Sequence, residues 1–274
     1  MRKMTALLLI YLALAPMGVG QQLYLSEEQT SSFPAANTKS QDLAPSSFDL
    51  FVPLQEQEIK SSKWQELLAE LDAKAEKNPD SLSLVRSIFQ KAHQKLFKDY
   101  SMHSTFTEML QTGAYDCVSG SAALGMLLDR YGYSFDVIET DYHVFLQVYL
   151  EGKTLILEST LPVGGMITST SEVNNYLGAY LSEGVPGARN INEGLAGTKV
   201  DVSDNSIFRK VNLTELAGLQ YYNEGIVFFN QQDYKQAIDQ LSKAYALYPS
   251  ERIDGLRELS RELAYHSYGL DIRK

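Results

Sequence analysis

Cysteine is almost absent: the 274 residues contain one, Cys117. A lone cysteine rules out an internal disulfide, and four scattered histidines do not complete a zinc set with it. The sequence also lacks GxxxxGKS/T, GxGxxG, HExxH, CxxC and GxSxG. Phosphate loops, helical zinc pairs, redox thiol pairs and the serine elbow of α/β-hydrolases therefore have no carrier here. No metal or cofactor is expected. Positive charge is scarce as well, with 24 Lys and Arg against 34 Asp and Glu. That balance argues against nucleic acid or an anionic membrane as a partner. Hydrophobic residues make up 44%, enough to build a core.

Long apolar runs are missing apart from Met4 to Ala15, which is too short to span a bilayer comfortably, since that takes about 20 residues. Arg2 and Lys3 precede it, and Gly18 and Gly20 occupy the small-residue places of a cleavage after Gly20. Such a pattern describes a secretory signal over 1–20, with an uncleaved anchor or a buried helix as the alternative. Loss of Arg2 and Lys3 takes the net charge from −10 to −12. The expected setting is periplasmic or extracellular, with no membrane span left after cleavage. An unpaired thiol there is either reactive, reserved for an intermolecular partner, or simply a small buried residue.

Residues 21–55 read as a flexible leader rich in Ser, Gln, Thr and Ala, with Pro34 and Pro45. From Ser61 the apolar residues Trp64, Leu67, Leu68 and Leu71 fall at helical spacing, and Asn78-Pro79-Asp80 separates a second amphipathic helix. His93 on that helix reads as a solvated or core-edge histidine. Cys117 opens a run of small and apolar residues with no charge until Asp129, the pattern of a helix buried on most sides, and Gly132 ends it. Phe135 to Ile138, Val144 to Leu150 and Leu155 to Leu157 then read as strands, the last two joined by a hairpin turn at Glu151-Gly152-Lys153. Helices followed by clustered strands predict an α+β fold over 56–210, with an antiparallel sheet. Residues 164–208 read as loop around a helix from Val173 to Leu181, and 211–274 as a small all-α region. In the latter, Tyr221, Gly225, Phe228, Ala237, Leu241, Ala244 and Pro249 match the spacing of a tetratricopeptide unit; an ordinary helical hairpin is the alternative.

What chemistry remains is a thiol, an imidazole and a carboxylate in chain order. The thiolate is the attacking form of cysteine, and a helix start favours negative charge. Cys117 stands at such a start. An imidazole can take the thiol proton, and a carboxylate on its other nitrogen fixes its tautomer. His143 opens one strand and Glu158 closes the next, so a hairpin brings both to one sheet edge. A turn centred on Gly152 leaves Glu158 about three residues short of facing His143, and Asp141 is the competing carboxylate. Asp116 reads as a helix N-cap or first-turn acid whose charge repels a thiolate. Tyr115, Asp116 and Tyr142 adjoin the two central residues as candidates to line a cleft.

From about Phe106 to Pro162 the sequence resembles the transglutaminase-like superfamily, a papain-type thiol fold. The resemblance rests on Gly113-Ala-Tyr-Asp-Cys117 with Gly120 and Ala122-Ala123, Leu127-Leu128, Tyr131-Gly132-Tyr133, His143-Val-Phe-Leu-Gln-Val-Tyr149 and Leu157-Glu158-Ser159-Thr160. It implies Cys117 as nucleophile, His143 as general base and Glu158 as orienting acid, where the family usually has aspartate. Phe145 fills an aromatic place common after the family's histidine. Gln111 stands where a papain-type layout puts an oxyanion-hole glutamine; a surface glutamine is the other reading. Such a core followed by a tetratricopeptide-like unit is similar to bacterial SirB1-type proteins. The resemblance implies an exported enzyme of acyl transfer at an amide of a peptide or protein, hydrolysis before cross-linking. The alternative is a non-catalytic scaffold that binds a protein partner through the helical repeat.

Overall fold

The computed structural model describes residues 46–52, 62–77, 79–181 and 207–269. The expected signal sequence and residues 21–45 of the expected leader lie outside the described residues. Within the leader's later part, Ser47–Phe51 forms a short helix, α1, closed by a reciprocal Ser46–Asp49 cap. Phe51 and Val52 are buried. This stretch is anchored because the Phe106 ring packs against those of Phe48, Phe51 and Trp64 at 5.4–5.8 Å, and Phe48 also meets Trp64 at 5.8 Å.

Helix α2 (Ser62–Ala75) and α3 (Ser81–Lys95) pair through their apolar faces, and Asp80 caps α3 as the Asn-Pro-Asp break predicts. A short parallel pair follows, β1 (Asp99–Tyr100) with β2 (Ala114–Tyr115), bracketing α4 (Phe106–Gln111). Next comes α5 (Cys117–Arg130), in which every residue from Val118 to Leu128 is buried. The sheet, α3 and the first helix of the tail surround α5, which is why its sequence carries no charge in that stretch.

Five strands form one antiparallel sheet in the order β6 (Met166–Ile167), β5 (Lys153–Leu157), β4 (Val144–Leu150), β3 (Ser134–Thr140), β7 (Phe208–Val211). Mixed helix and antiparallel sheet agree with the expected α+β class. Alternation along the strands sorts the two faces. Val137, Leu146, Val148 and Leu157 join the main core beneath α5, while Ile138, Phe145 and Ile156 pack with Val173 and Tyr176 of α6 (Thr170–Leu181) on the other face. Strand β7, absent from the sequence reading, adds the outer edge beside β3. Its run of charged Arg209 and Lys210 hid it, because an edge strand needs only one buried position, here Val211.

The turn between β4 and β5 is Glu151-Gly152, both with positive φ, at 50° and 78°. Two such residues make the tight hairpin whose twist matches the strands. It pairs Leu150 with Lys153 and Leu146 with Leu157. Carried on, this register sets Glu158 level with Phe145, two positions from His143 rather than three. The correction matters because an even offset keeps both side chains on one face, whereas an odd one separates them.

The tail consists of α7 (Leu213–Asn230), α8 (Tyr234–Leu247) and α9 (Glu251–Tyr268). Close approach of α7 and α8 needs glycine: a Cβ at Gly225 would stand 2.7 Å from Leu241 Cγ, and one at Gly218 2.6 Å from Tyr248 Cβ. The tail and the sheet belong to one compact unit.

Candidate active site

Cys117 is the first residue of α5. Asp116 caps the helix: its Oδ1 accepts the Ser119 N–H at 2.8 Å and the Ser119 hydroxyl at 2.9 Å, while the Ser119 hydroxyl accepts the Asp116 N–H at 2.9 Å. Asp116 is a buried carboxylate, and burial pushes it up to about 6 against these hydrogen bonds. The Asn223 amide of α7 lies 3.5 Å from its second oxygen. As the opening residue of α5, Cys117 has a backbone N–H that belongs to the set without a partner inside the helix. Its side chain is half-buried.

The thiol lies beside the ring of His143, near enough to favour a proton on it. His143 Nε2 lies 2.5 Å from Glu158 Oε2, which leaves Nδ1 as the ring nitrogen for the sulfur. Thr140 N–H donates to the His143 carbonyl at 2.8 Å, so the β3–β4 ladder runs to the base itself and fixes its backbone. The ring lies over Phe145 at 6.3 Å. Glu158 is held from behind: its N–H donates to the Gly165 carbonyl at 2.8 Å. Its Oε1 accepts from the Thr160 N–H at 2.9 Å and the Thr160 hydroxyl at 2.7 Å, and its Oε2 also accepts from the Tyr176 hydroxyl at 2.6 Å. Diagonal neighbours on adjacent strands stand about 7–8 Å apart, a span that the longer glutamate side chain and the imidazole cover together.

Charge follows from these contacts. Burial works against ionising Glu158, but the adjacent His143 ring and the hydrogen bonds from His143, Thr160 and Tyr176 outweigh it and hold the carboxyl at about 2. Burial likewise opposes charge on His143, and Glu158 with the Cys117 sulfur overcomes it, raising the ring well above the ordinary histidine range. The site thus favours an imidazolium between a carboxylate and a sulfur.

Cys117, His143 and Glu158 come together. Asp141, the competing acid, is in the β3–β4 turn, where a carboxylate oxygen accepts the Ile207 N–H at 3.2 Å. Asp116 is an N-cap. Tyr115 is buried and stacks on Phe97 at 4.8 Å, so it supports the floor behind α5 instead of lining an open cleft. Tyr142 is exposed on the turn beside His143. Gln111 is exposed at the C-terminal end of α4. His93 packs edge-on against Phe89 and Phe97, and burial pushes it down to about 4, so it is a neutral core-edge ring.

Three further residues at the site had no role assigned from the sequence. Tyr100, 36% exposed, pairs with Tyr115 in the β1–β2 register and stands edge-on to its ring at 6.0 Å, and partial desolvation beside Cys117 and Asp116 raises its hydroxyl above the ordinary tyrosine range. Thr160 and Tyr176 both bind the acid; only Thr160, two places after Glu158, had a sequence signal. Comparison with family models, curated proteins and solved structures gives no match for the chain.

Proposed function

We propose that the chain is an exported, transglutaminase-like thiol enzyme that performs acyl transfer at an amide, with hydrolysis of a peptide or amide bond as its reaction. The observation that carries this reading is the line from the half-buried Cys117 thiol through the buried His143 ring to the buried Glu158, with 2.5 Å between ring and acid. Export rests on the sequence pattern of residues 1–20.

In the proposed reaction the Cys117 sulfur attacks the amide carbonyl carbon, and the C=O electron pair moves onto oxygen. The Cys117 N–H at the start of α5 faces that charge as one oxyanion donor. The proton on His143 passes to the amide nitrogen as the C–N bond breaks, leaving a thioester on Cys117. Water then attacks the thioester carbon and gives a proton to His143, the C–S bond breaks, and the acid leaves. Glu158 keeps the ring's second nitrogen occupied and stabilises its charged form throughout. Cys117 is the member of the three that solvent reaches, which supports water as the acceptor.

The test is alkylation of Cys117 by iodoacetamide. At about pH 6 the protein is expected to react faster than N-acetylcysteine, since the adjacent His143 ring is placed to take the thiol proton. His143→Ala is expected to lose about 100-fold or more in hydrolysis, the usual worth of a general base, and to lose the alkylation advantage. An ordinary thiol profile in the wild type overturns the reading. Peptide binding that survives in Cys117→Ala, with no turnover in the wild type, would favour the scaffold alternative.

A further inference from the structure

Glutamate in place of aspartate adds a rotatable bond to the orienting acid, and a carboxylate that swings cannot hold an imidazole in line. The surroundings of Glu158 remove that freedom from two sides. Thr160, two residues on, occupies Oε1 twice, through its backbone N–H and its hydroxyl. That contact is local and moves with the acid's own turn. The second restraint comes from α6: the Tyr176 hydroxyl donates to Oε2 at 2.6 Å, the same oxygen that meets His143 Nε2 at 2.5 Å. Tyr176 reaches the base by a second route. Its ring stands edge-on to Phe145 at 5.0 Å and 89°, and Phe145 lies under the His143 ring. Hydroxyl and ring of one residue therefore brace both the acid and the floor of the base. The side chain is 9% exposed, so solvent does not compete strongly for the bond.

From this geometry we infer that Tyr176 is a positioning residue, which acts through Glu158 to hold His143 in line with Cys117. The inference rests on the thiol-enzyme reading above. Tyr176 touches neither sulfur nor substrate in this role. Besides Tyr176, the groups that face or electrostatically sense Glu158 are His143, Thr160, Tyr180, His93, Tyr100 and Tyr115. A change in the acid's behaviour is therefore assigned to Tyr176 only by a coupled comparison.

The experiment is a double-mutant cycle on the intact chain, read by the pH profile of Cys117 alkylation with iodoacetamide. Tyr176→Phe deletes the hydroxyl and keeps the ring against Phe145. It is expected to slow alkylation at about pH 6 by about tenfold, the worth of one hydrogen bond to a charged group. In a Glu158→Gln background the same change is expected to have no further effect, because the route runs through the acid. Equal slowing in both backgrounds, or no slowing in the first, overturns the inference. If Tyr176→Phe does not fold, 3-fluorotyrosine at 176 supplies a stronger donor in the same space. It is expected to shift the profile of the parent and not that of Glu158→Gln; no shift in the parent overturns the inference. Failure of the thiol-site reading looks different: the wild type would then alkylate like N-acetylcysteine whatever stands at 176, and the inference would fall with it.

Discussion

Asp116 and Glu158 are both buried acids close to Cys117, yet their neighbours push them in opposite directions. Glu158 sits beside a cation and is held at about 2, below its ordinary 4.5. Its contribution to stability is present above that ordinary value and is lost as pH falls towards about 2. Asp116 has hydrogen-bond donors but no cation, and burial lifts it to about 6 from 3.8. Its stabilising effect is complete below 3.8 and is lost as pH rises through about 6, where a buried charge must form. Asn at 116 keeps the oxygen that caps Ser119 and removes that charge. Asp116→Asn is therefore expected to stabilise the fold by about 1–3 kcal/mol at neutral pH and by little near pH 4, measured by urea unfolding at both. The same residues show what was legible. Asp116 as cap, Cys117 as first helical residue and His143 at a strand start follow from neighbours in sequence. The choice of Glu158 over Asp141 does not, because it depends on which acid the sheet register turns towards the ring.

At the scale of elements, the turn from β5 to β6 holds the acid's backbone. A Cβ added to Gly165 would stand 2.2 Å from the Leu161 carbonyl oxygen and 2.5 Å from that of Glu158. Both are backbone atoms and cannot swing aside, so Gly165→Ala must move the turn. The Gly165 carbonyl is also the acceptor for the Glu158 N–H. Displacement of a catalytic group by about 1 Å can lower rate about 100-fold. Gly165→Ala is expected to cut Cys117 alkylation at about pH 6 to near that of His143→Ala, while costing about 1–3 kcal/mol in stability. Alkylation kinetics beside urea unfolding check this; an unchanged rate would show that the turn is not what positions Glu158. Gly165 was not readable as a steric requirement, since its neighbours lie across a turn whose course the sequence pattern leaves open.

Across the whole molecule, β3 and the helical tail are joined at Glu139. This carboxylate is 1% exposed. Arg209 of β7 donates to it at 2.8 Å, the Tyr248 hydroxyl at 2.5 Å, and Arg252 of α9 closes the other oxygen. Arg209 also lies over the Tyr248 ring at 5.0 Å, and Arg252 over Tyr222 at 5.1 Å. Stripping both cations leaves an uncompensated buried charge, which costs about 3–5 kcal/mol. The double variant Arg209→Ala/Arg252→Ala is expected to lose about that much, measured by urea unfolding. Restoring Glu139→Gln in that background should recover part of it, since a neutral amide needs no counter-ion. A loss below about 1 kcal/mol would mean the clamp is incidental and apolar packing of α7 on α5 alone joins the tail.

The sequence by itself determined what neighbouring residues decide. It specified where α5 begins and ends, the alternation of β4, a hairpin turn at Glu151-Gly152-Lys153 though not its register, and a thiol, an imidazole and an acid in fitting order. These follow from caps, periodicity and turn chemistry, which act within a few residues. Tertiary structure alone decided that His143 and Glu158 share a face, that Asp141 turns to Ile207, that Tyr176 reaches the acid from α6, and that Glu139 binds the tail. Those outcomes depend on sheet register and on how α6 and α9 dock. A slip of one residue would turn every side chain of a strand to the opposite face without changing a single local propensity.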